Sequence, residues 1–231
     1  MNRSARAAGA LLFAALVLLV PALAAADEIN VESAAVSFQT VDGERVATFL
    51  DFVARSRDFT LSSPRGRYNE ATALMTASGR PDARASLAKA GESPFSVSAE
   101  TEISINFDDE TLAAHGEVVF LSDEIDARSD DLVVDRRERL ESRIAELKAS
   151  VAEVETLELI DSFLAKVGPG DRLILLSGNV RIVREDSTLE SAWVLVNESD
   201  QSEFISIADP SRRMTLTIVT RDEEEGTGSQ D

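Results

Sequence analysis

The side chains able to carry chemistry are few. His115 is the only histidine in 231 residues, and there is no cysteine. A zinc site draws on several His or Cys ligands. A Ser-His-Asp triad would need His115 as its base, and no G-x-S-x-G elbow accompanies it. His115 therefore reads as a structural residue at a strand end beside Gly116. Acidic groups are plentiful: Asp108-Asp109-Glu110, Asp123-Glu124, Asp130-Asp131 and Asp222–Glu225. Two carboxylates across a cleft would suit glycoside cleavage, but the chain has one Trp and one Tyr with which to stack a sugar. These acids fall in predicted turns and a tail, where solvation accounts for them. A D-x-D-x-D-G calcium loop and a Gly-rich phosphate loop are both missing from the sequence. The residues thus argue against an enzyme and call for no metal or cofactor. One constellation remains: Arg55, Arg57, Arg65 and Arg67 crowd into thirteen residues. They suit either a phosphate or ordinary surface pairing with nearby acids.

The elements that must position these groups are short and repetitive. Phe59-Thr-Leu-Ser-Ser63 opens a segment closed by Leu74-Met-Thr-Ala-Ser-Gly79, and Phe95-Ser-Val-Ser-Ala99 opens another closed by Leu112-Ala-Ala-His-Gly116. A third opens at Ile125 and closes at Leu173–Gly178, and a fourth runs from Leu189 to Asp209. Each opening alternates apolar with small or polar residues, so one face is buried and the other wet. Turn residues fill the middle of the units, and Gly79, Gly116 and Gly178 are predicted where the chain bends toward its next strand. Such units cannot bury their faces alone and must stack. Asp42-Gly43 predicts a hairpin between Ile29–Phe38 and Arg45–Val53. About a dozen strands result. The fold class is mainly β, an elongated twisted β-jelly-roll or stack of strand repeats.

Arg136 to Val167 breaks this pattern. Leu140, Ile144, Leu147, Val151, Val154 and Leu157 recur at helical steps, with charged residues between them, and Gly168-Pro169-Gly170 ends the run. The expectation is one long amphipathic helix, or two broken near Glu155–Thr156. Its apolar stripe would pack on the β-core, serve a partner, or lie on a membrane surface. The last suits it least, because acids and bases share the polar face.

Residues 1–26 read as a secretory leader: Arg3 and Arg6, an apolar run from Ala10 to Val20, Pro21, then Ala24-Ala25-Ala26 before Asp27. The alternative is an uncleaved anchor, since Ala7–Ala26 approaches the roughly 20 residues that span a bilayer. The expected location is periplasmic or otherwise exported. The expected domain occupies residues 27–220, followed by a disordered acidic tail at 221–231. After the leader, 42 Asp and Glu stand against 21 Lys and Arg, a net charge of −21. Nucleic acid is excluded as a partner by that charge. Solubility or a salty medium explains it, or else a basic partner.

Two stretches carry a family resemblance. Leu175-Leu-Ser-Gly-Asn-Val-Arg-Ile-Val-Arg-Glu-Asp-Ser-Thr-Leu-Glu-Ser-Ala-Trp-Val-Leu-Val-Asn197 runs from leucine and a small polar residue through Gly-Asn, an alternating strand and a polar turn to a strand ending in Asn. Leu112 to Asp135 is a second copy. These resemble the OstA-like, LptA/LptC-type family of lipopolysaccharide-transport β-jelly-rolls, over most of Phe59–Asp209. The resemblance implies a V-shaped roll with an apolar groove for the acyl chains of lipopolysaccharide or another envelope lipid. It also implies edge-to-edge β assembly with itself or with other such proteins. The inward rows expected to line the groove are Phe59, Leu61, Phe95, Val97, Ile103, Ile105, Phe107, Trp193 and Leu195. Arg55, Arg57, Arg65 and Arg67 would meet a head group. The rival expectation is a structural or protein-interaction module whose rows simply fill the core.

Overall fold

The computed structural model describes residues 29–56, 59–85, 94–183, 187–208 and 215–218. The leader, the acidic tail and Arg57 lie outside the described residues. The chain is mainly β. Its strands are β1 (Asn30–Val41), β2 (Glu44–Arg55), β3 (Phe59–Asn69), β4 (Leu74–Ser78), β5 (Asp82–Ala85), β6 (Phe95–Ser98) and β7 (Glu102–Asn106). They continue as β8 (Thr111–Ser122), β9 (Asp126–Arg136), β10 (Arg172–Val183), β11 (Ser187–Asn197), β12 (Phe204–Ile207) and β13 (Thr215–Ile218). All thirteen join one sheet, in the order β1-β2-β3-β4-β7-β8-β9-β10-β11-β12. In addition β5 bridges β3 and β6, β6 also pairs β8, and β13 pairs β11. Every pairing is antiparallel. The β1–β2 hairpin turns on Asp42 and Gly43, both at positive φ (52° and 88°), with Val41 facing Glu44. That is the two-residue turn the sequence signals.

Of the repeat glycines, Gly79 separates β4 from β5 as expected, but Gly116 and Gly178 do not separate strands. Gly116 lies within β8 and Gly178 within β10. Each is followed by a second residue at positive φ, Glu117 at 43° and Asn179 at 47°. Two left-handed residues in succession kink a strand without ending it, and the ladder skips register there: from His115 to Val118 in β8, and from Ser177 to Val180 in β10 against β11. Gly79-Arg80 makes the same kink between β4 and β5, and in β2 a single left-handed residue, Asp51 at 45°, stands at the corresponding place. The kinks line up across neighbouring strands as a crease, and the sheet folds along it into two leaves. One leaf holds β4, β7 and one half of each long strand. The other holds β5, β6 and the remaining halves.

The two leaves face each other across a single apolar interior. From the first leaf it takes Ala47, Phe49, Met75, Ile103, Ile105, Leu112, Leu132, Ile174 and Val194; from the second, Phe52, Leu61, Phe95, Val97, Val118, Phe120, Val180 and Ile182. Phe49 and Phe52 touch across the crease, with ring centroids 5.8 Å apart. At the far side, Phe59 of the second leaf stacks on Phe107 (5.1 Å), which also meets Tyr68 of the first leaf (6.2 Å). These three rings clasp the free margins of the leaves together.

The insertion between β9 and β10 is not one long helix. A 3-10 turn at Arg137–Arg139 leads into α1 (Glu141–Ser150), extended residues intervene, and α2 (Val154–Lys166) follows. The break falls at Val151–Glu153 rather than near Glu155–Thr156. A continuous helix of that length would span about 40 Å and carry its apolar stripe off the sheet. Broken, both pieces return to one patch. Ile144 and Leu147 of α1 join Ile160, Phe163 and Leu164 of α2 over Leu173, Leu175, Leu195 and Ile207, on the outer face of the first leaf. Lys148 and Asp161 pair between the helices. Arg137 donates to the Leu164 carbonyl (2.6 Å) and to that of Val167, holding the C-terminus of α2.

Candidate functional site

The structure brings seven of the nine expected groove residues into one place. Phe59, Leu61, Phe95, Val97, Ile103 and Ile105 belong to the interior cluster, and Phe107 packs against it. They come from both leaves, so the crease rather than any one strand unites them. None of the six is more than 6% exposed. They pack against each other and do not line an open trough.

Trp193 and Leu195 stand elsewhere. Their neighbours on β11, Val194 and Val196, point inward, so these two point out. There they lie under the helices, Leu195 fully buried and Trp193 partly so. Alternation alone could not tell the faces apart, because in this stretch both are apolar: Leu173, Ile174, Leu175 and Leu176 of β10 are all buried.

The arginines do not form a cluster on the interior either. Arg55 is engaged by Glu32 at 3.2 Å. Arg65 and Arg67 sit side by side on the exposed outer face of β3, opposite Leu50 and Thr48 of β2 and Ser78 and Thr76 of β4. The thickness of the sheet separates them from the apolar interior.

Sequence reasoning missed how the two ends of the interior differ. At the β1 end, Val36 and Phe38 pair with Phe49 and Ala47, which are interior residues, so they occupy the same face. Yet Val36 is 43% and Phe38 42% exposed. Among the described residues the interior-facing side therefore ends at this edge in a mouth of exposed apolar side chains, with the Arg45 guanidinium 5.8 Å over the Phe38 ring. Toward the other end, polar groups are buried at the strand ends. Arg172 and Glu198, where β10 begins and β11 ends, form a buried ion pair at 3.1 Å, with Glu198 only 2% exposed, and Gln201 is buried too. An ion pair so placed is retained only where geometry holds it, and here it borders the interior at the strand ends, while Phe204 of β12 carries the apolar row one strand further. The signal for the mouth was visible as Val36-x-Phe38 on β1, which among the described residues pairs only with β2.

Two titrating groups mark these regions. Burial pushes the Tyr68 phenol above its ordinary range, with Asp108 and Glu70 adding to the shift. Burial likewise raises the Asp135 carboxyl beside the helices. The Arg136 N–H, 2.7 Å away, and the charges of Arg139 and Arg172 pull it back. At the crease, His115 Nδ1 is 2.7 Å from Asp131 Oδ1, and Asn179 Nδ2 donates to Asp130 Oδ2 at 2.8 Å. Among the described residues no cluster of three or more His, Cys, Asp or Glu is arranged to hold a metal ion. No helix among them is long and apolar enough to cross a membrane.

Comparison with known proteins adds little beyond this geometry. No family model matches the chain. No curated protein matches it in sequence. Among solved structures it is similar to LptH of Pseudomonas aeruginosa, described as the LptA homologous periplasmic component of the lipopolysaccharide transport device. The two share 13% identity with a TM-score of 0.40, over 47% of this chain and 76% of that one.

Proposed function

We propose that this chain is a non-enzymatic, exported lipid-binding protein that shelters acyl chains of lipopolysaccharide or another envelope amphiphile between its two leaves. The observation that carries the reading is the continuity of the interior with the open mouth at Val36 and Phe38. Apolar surface left in water there is worth about 25 cal/mol per Å² when covered, and an acyl chain is the right shape to cover it. The clasp of Phe59, Phe107 and Tyr68 is where the leaves part to admit it, since Phe107 and Tyr68 are only partly buried. The two OstA-like motif copies, Leu112–Asp135 and Leu175–Asn197, correspond to the hairpins β8–β9 and β10–β11. Arg65 and Arg67 lie on the other face of the sheet. In this reading they meet a second anionic group, and the head group of the sheltered chain stays outside the mouth.

Displacement of a fluorescent fatty acyl probe tests this. Phe107→Asp sets a carboxylate in the clasp and is expected to weaken probe binding at least about tenfold, the scale of one lost apolar contact region, with the β circular dichroism unchanged. Trp193→Phe, on the outer face, should leave probe affinity as it was. A folded Phe107→Asp protein that binds the probe like the parent defeats the reading, as does a parent that binds no probe and carries no lipid in native mass spectrometry.

A second reading is favoured by the packed centre of the interior and by the edge of β1, which among the described residues pairs only with β2. In it the stack is an interaction module without lipid cargo, and β1 is its contact strand.

A further inference from the structure

We propose that β1 is a self-pairing edge: two copies of this chain join β1 to β1, antiparallel, about a two-fold axis at Ser37, and form a closed dimer. The inference deepens the interaction reading and does not depend on acyl binding.

Four observations carry it. First, β1 is twelve residues long and pairs, among the described residues, only with β2. Its other side is a row of backbone donors and acceptors of the kind that recruits a further strand. Second, that edge lacks protection. Edges that must stay single carry lysine, proline or inward charges, or are kept short. Residues 33–41 (Ser-Ala-Ala-Val-Ser-Phe-Gln-Thr-Val) have none of these, in a chain of which 28% of residues are charged. The charges resume at Glu32 and Asp42, on either side. Third, Val36 and Phe38 are exposed on one face of the same stretch and need a cover. Fourth, among the described residues the opposite end of the sheet offers no comparable edge. There β12 and β13 are four residues each, set one after the other along β11, and α2 packs against β12 with Lys166 paired to Glu203 at 3.1 Å. A head-to-tail chain of copies would have to join a twelve-residue edge to two short pieces. A second β1 matches the length.

Symmetry then fixes the register. In a two-fold antiparallel pair, facing residues share a side of the sheet, so their numbers sum to an even constant. Centring the uncharged run places Ser37 on the axis. Val36 then faces Phe38 of the second copy, and Phe38 faces its Val36, so each large side chain covers the other. Ala35 faces Gln39 on the outer side. Glu32 and Asp42 would meet at the ends, which limits the pairing to the uncharged stretch. The two open mouths become continuous, and no free long edge is left for further growth.

The purified chain has no cysteine, so single-cysteine variants report the axis directly. Ser37→Cys should link into a covalent dimer under mild oxidation, because only the axial residue meets itself within disulfide reach. Gln39→Cys, equally exposed, should not. Sedimentation should give twice the chain mass at high concentration and no larger species. Ser37→Lys should return the protein to monomer, and an equimolar mixture with Ser37→Glu should restore the dimer. A monomer at every concentration overturns the proposal, as do oligomers that keep growing or Gln39→Cys linking as readily as Ser37→Cys. The probe assay above is read separately on the same samples, so loss of acyl binding and loss of dimerisation are distinguishable.

Discussion

Single residues at the crease and the clasp hold the architecture, and each gives a measurable expectation. A Cβ at Gly178 would sit 2.5 Å from Asp130 Oδ2, and φ there is +72°. Gly178→Ala therefore meets both backbone strain and a carboxylate tied to Asn179, and thermal unfolding should show a loss of about 2–3 kcal/mol. Gly43, at φ +88° with nothing within 4 Å, isolates the strain alone; Gly43→Ala should lose only about 1 kcal/mol. Equal losses at the two positions would mean the crease does not need its glycine for space. Tyr68 is the one tyrosine of the chain, so tyrosinate absorbance reports the clasp without interference. Its phenol is raised in the folded protein. The folded state thus holds the proton more tightly than the unfolded chain, whose phenol titrates near 10.0. Stability contributed by the protonated phenol is intact below that value and is lost as the pH climbs through the folded one. The absorbance midpoint should lie higher in native than in urea-unfolded protein, and a coincident midpoint would place Tyr68 outside the clasp.

At the scale of elements, the insertion is a lid on the outer face of β9, β10, β11 and β12. Ile160 is fully buried beneath α2, and Ile160→Ala should cost about 2–4 kcal/mol. Trp193 packs against the same cluster, so loosening of the insertion should red-shift its emission, while acyl probe binding on the far face persists. An unshifted emission with lowered stability would mean α2 repacks without leaving the sheet. Much of the element layout was legible from the sequence: the hairpin at Asp42-Gly43, strands of period two, and the helical run after β9. The misreadings have one physical origin. A glycine flanked by polar residues signals a positive φ, but not whether the ladder continues beyond it; Gly116 and Gly178 continue, and that makes the crease. Period two identifies an apolar face only where the other face is wet. Around Leu173–Leu176 both faces are covered, one by the opposite leaf and one by the helices, so Trp193 and Leu195 could not be assigned. The helix break at Val151–Glu153 follows from the size of the patch to be covered, which no local pattern records. Arg65 and Arg67 were close in sequence to the inward row of β3 but project to the opposite side of the sheet.

For the whole molecule, most pairings join strands that are neighbours in sequence, and the exceptions, β3 with β5, β4 with β7, β6 with β8 and β11 with β13, arise where two short strands lie one after the other along a long one. Asymmetry is the other global property: exposed, uncharged apolar side chains at Val36 and Phe38 on one side, and on the other a sheet whose outer face is covered by helices and whose strand ends hold the buried pair Arg172 and Glu198. Both the acyl-binding and the dimer proposals belong to the Val36 and Phe38 side, so changes near Arg172 should leave them intact. The sequential pairing has a separate consequence. A chain threaded through an export channel with its amino end leading can complete each hairpin as it emerges, laying down one layer on the last, with little loop entropy to overcome at any step. Evolution can then lengthen or shorten such a stack by whole hairpins, as links are added to a chain, while the same two ends are kept.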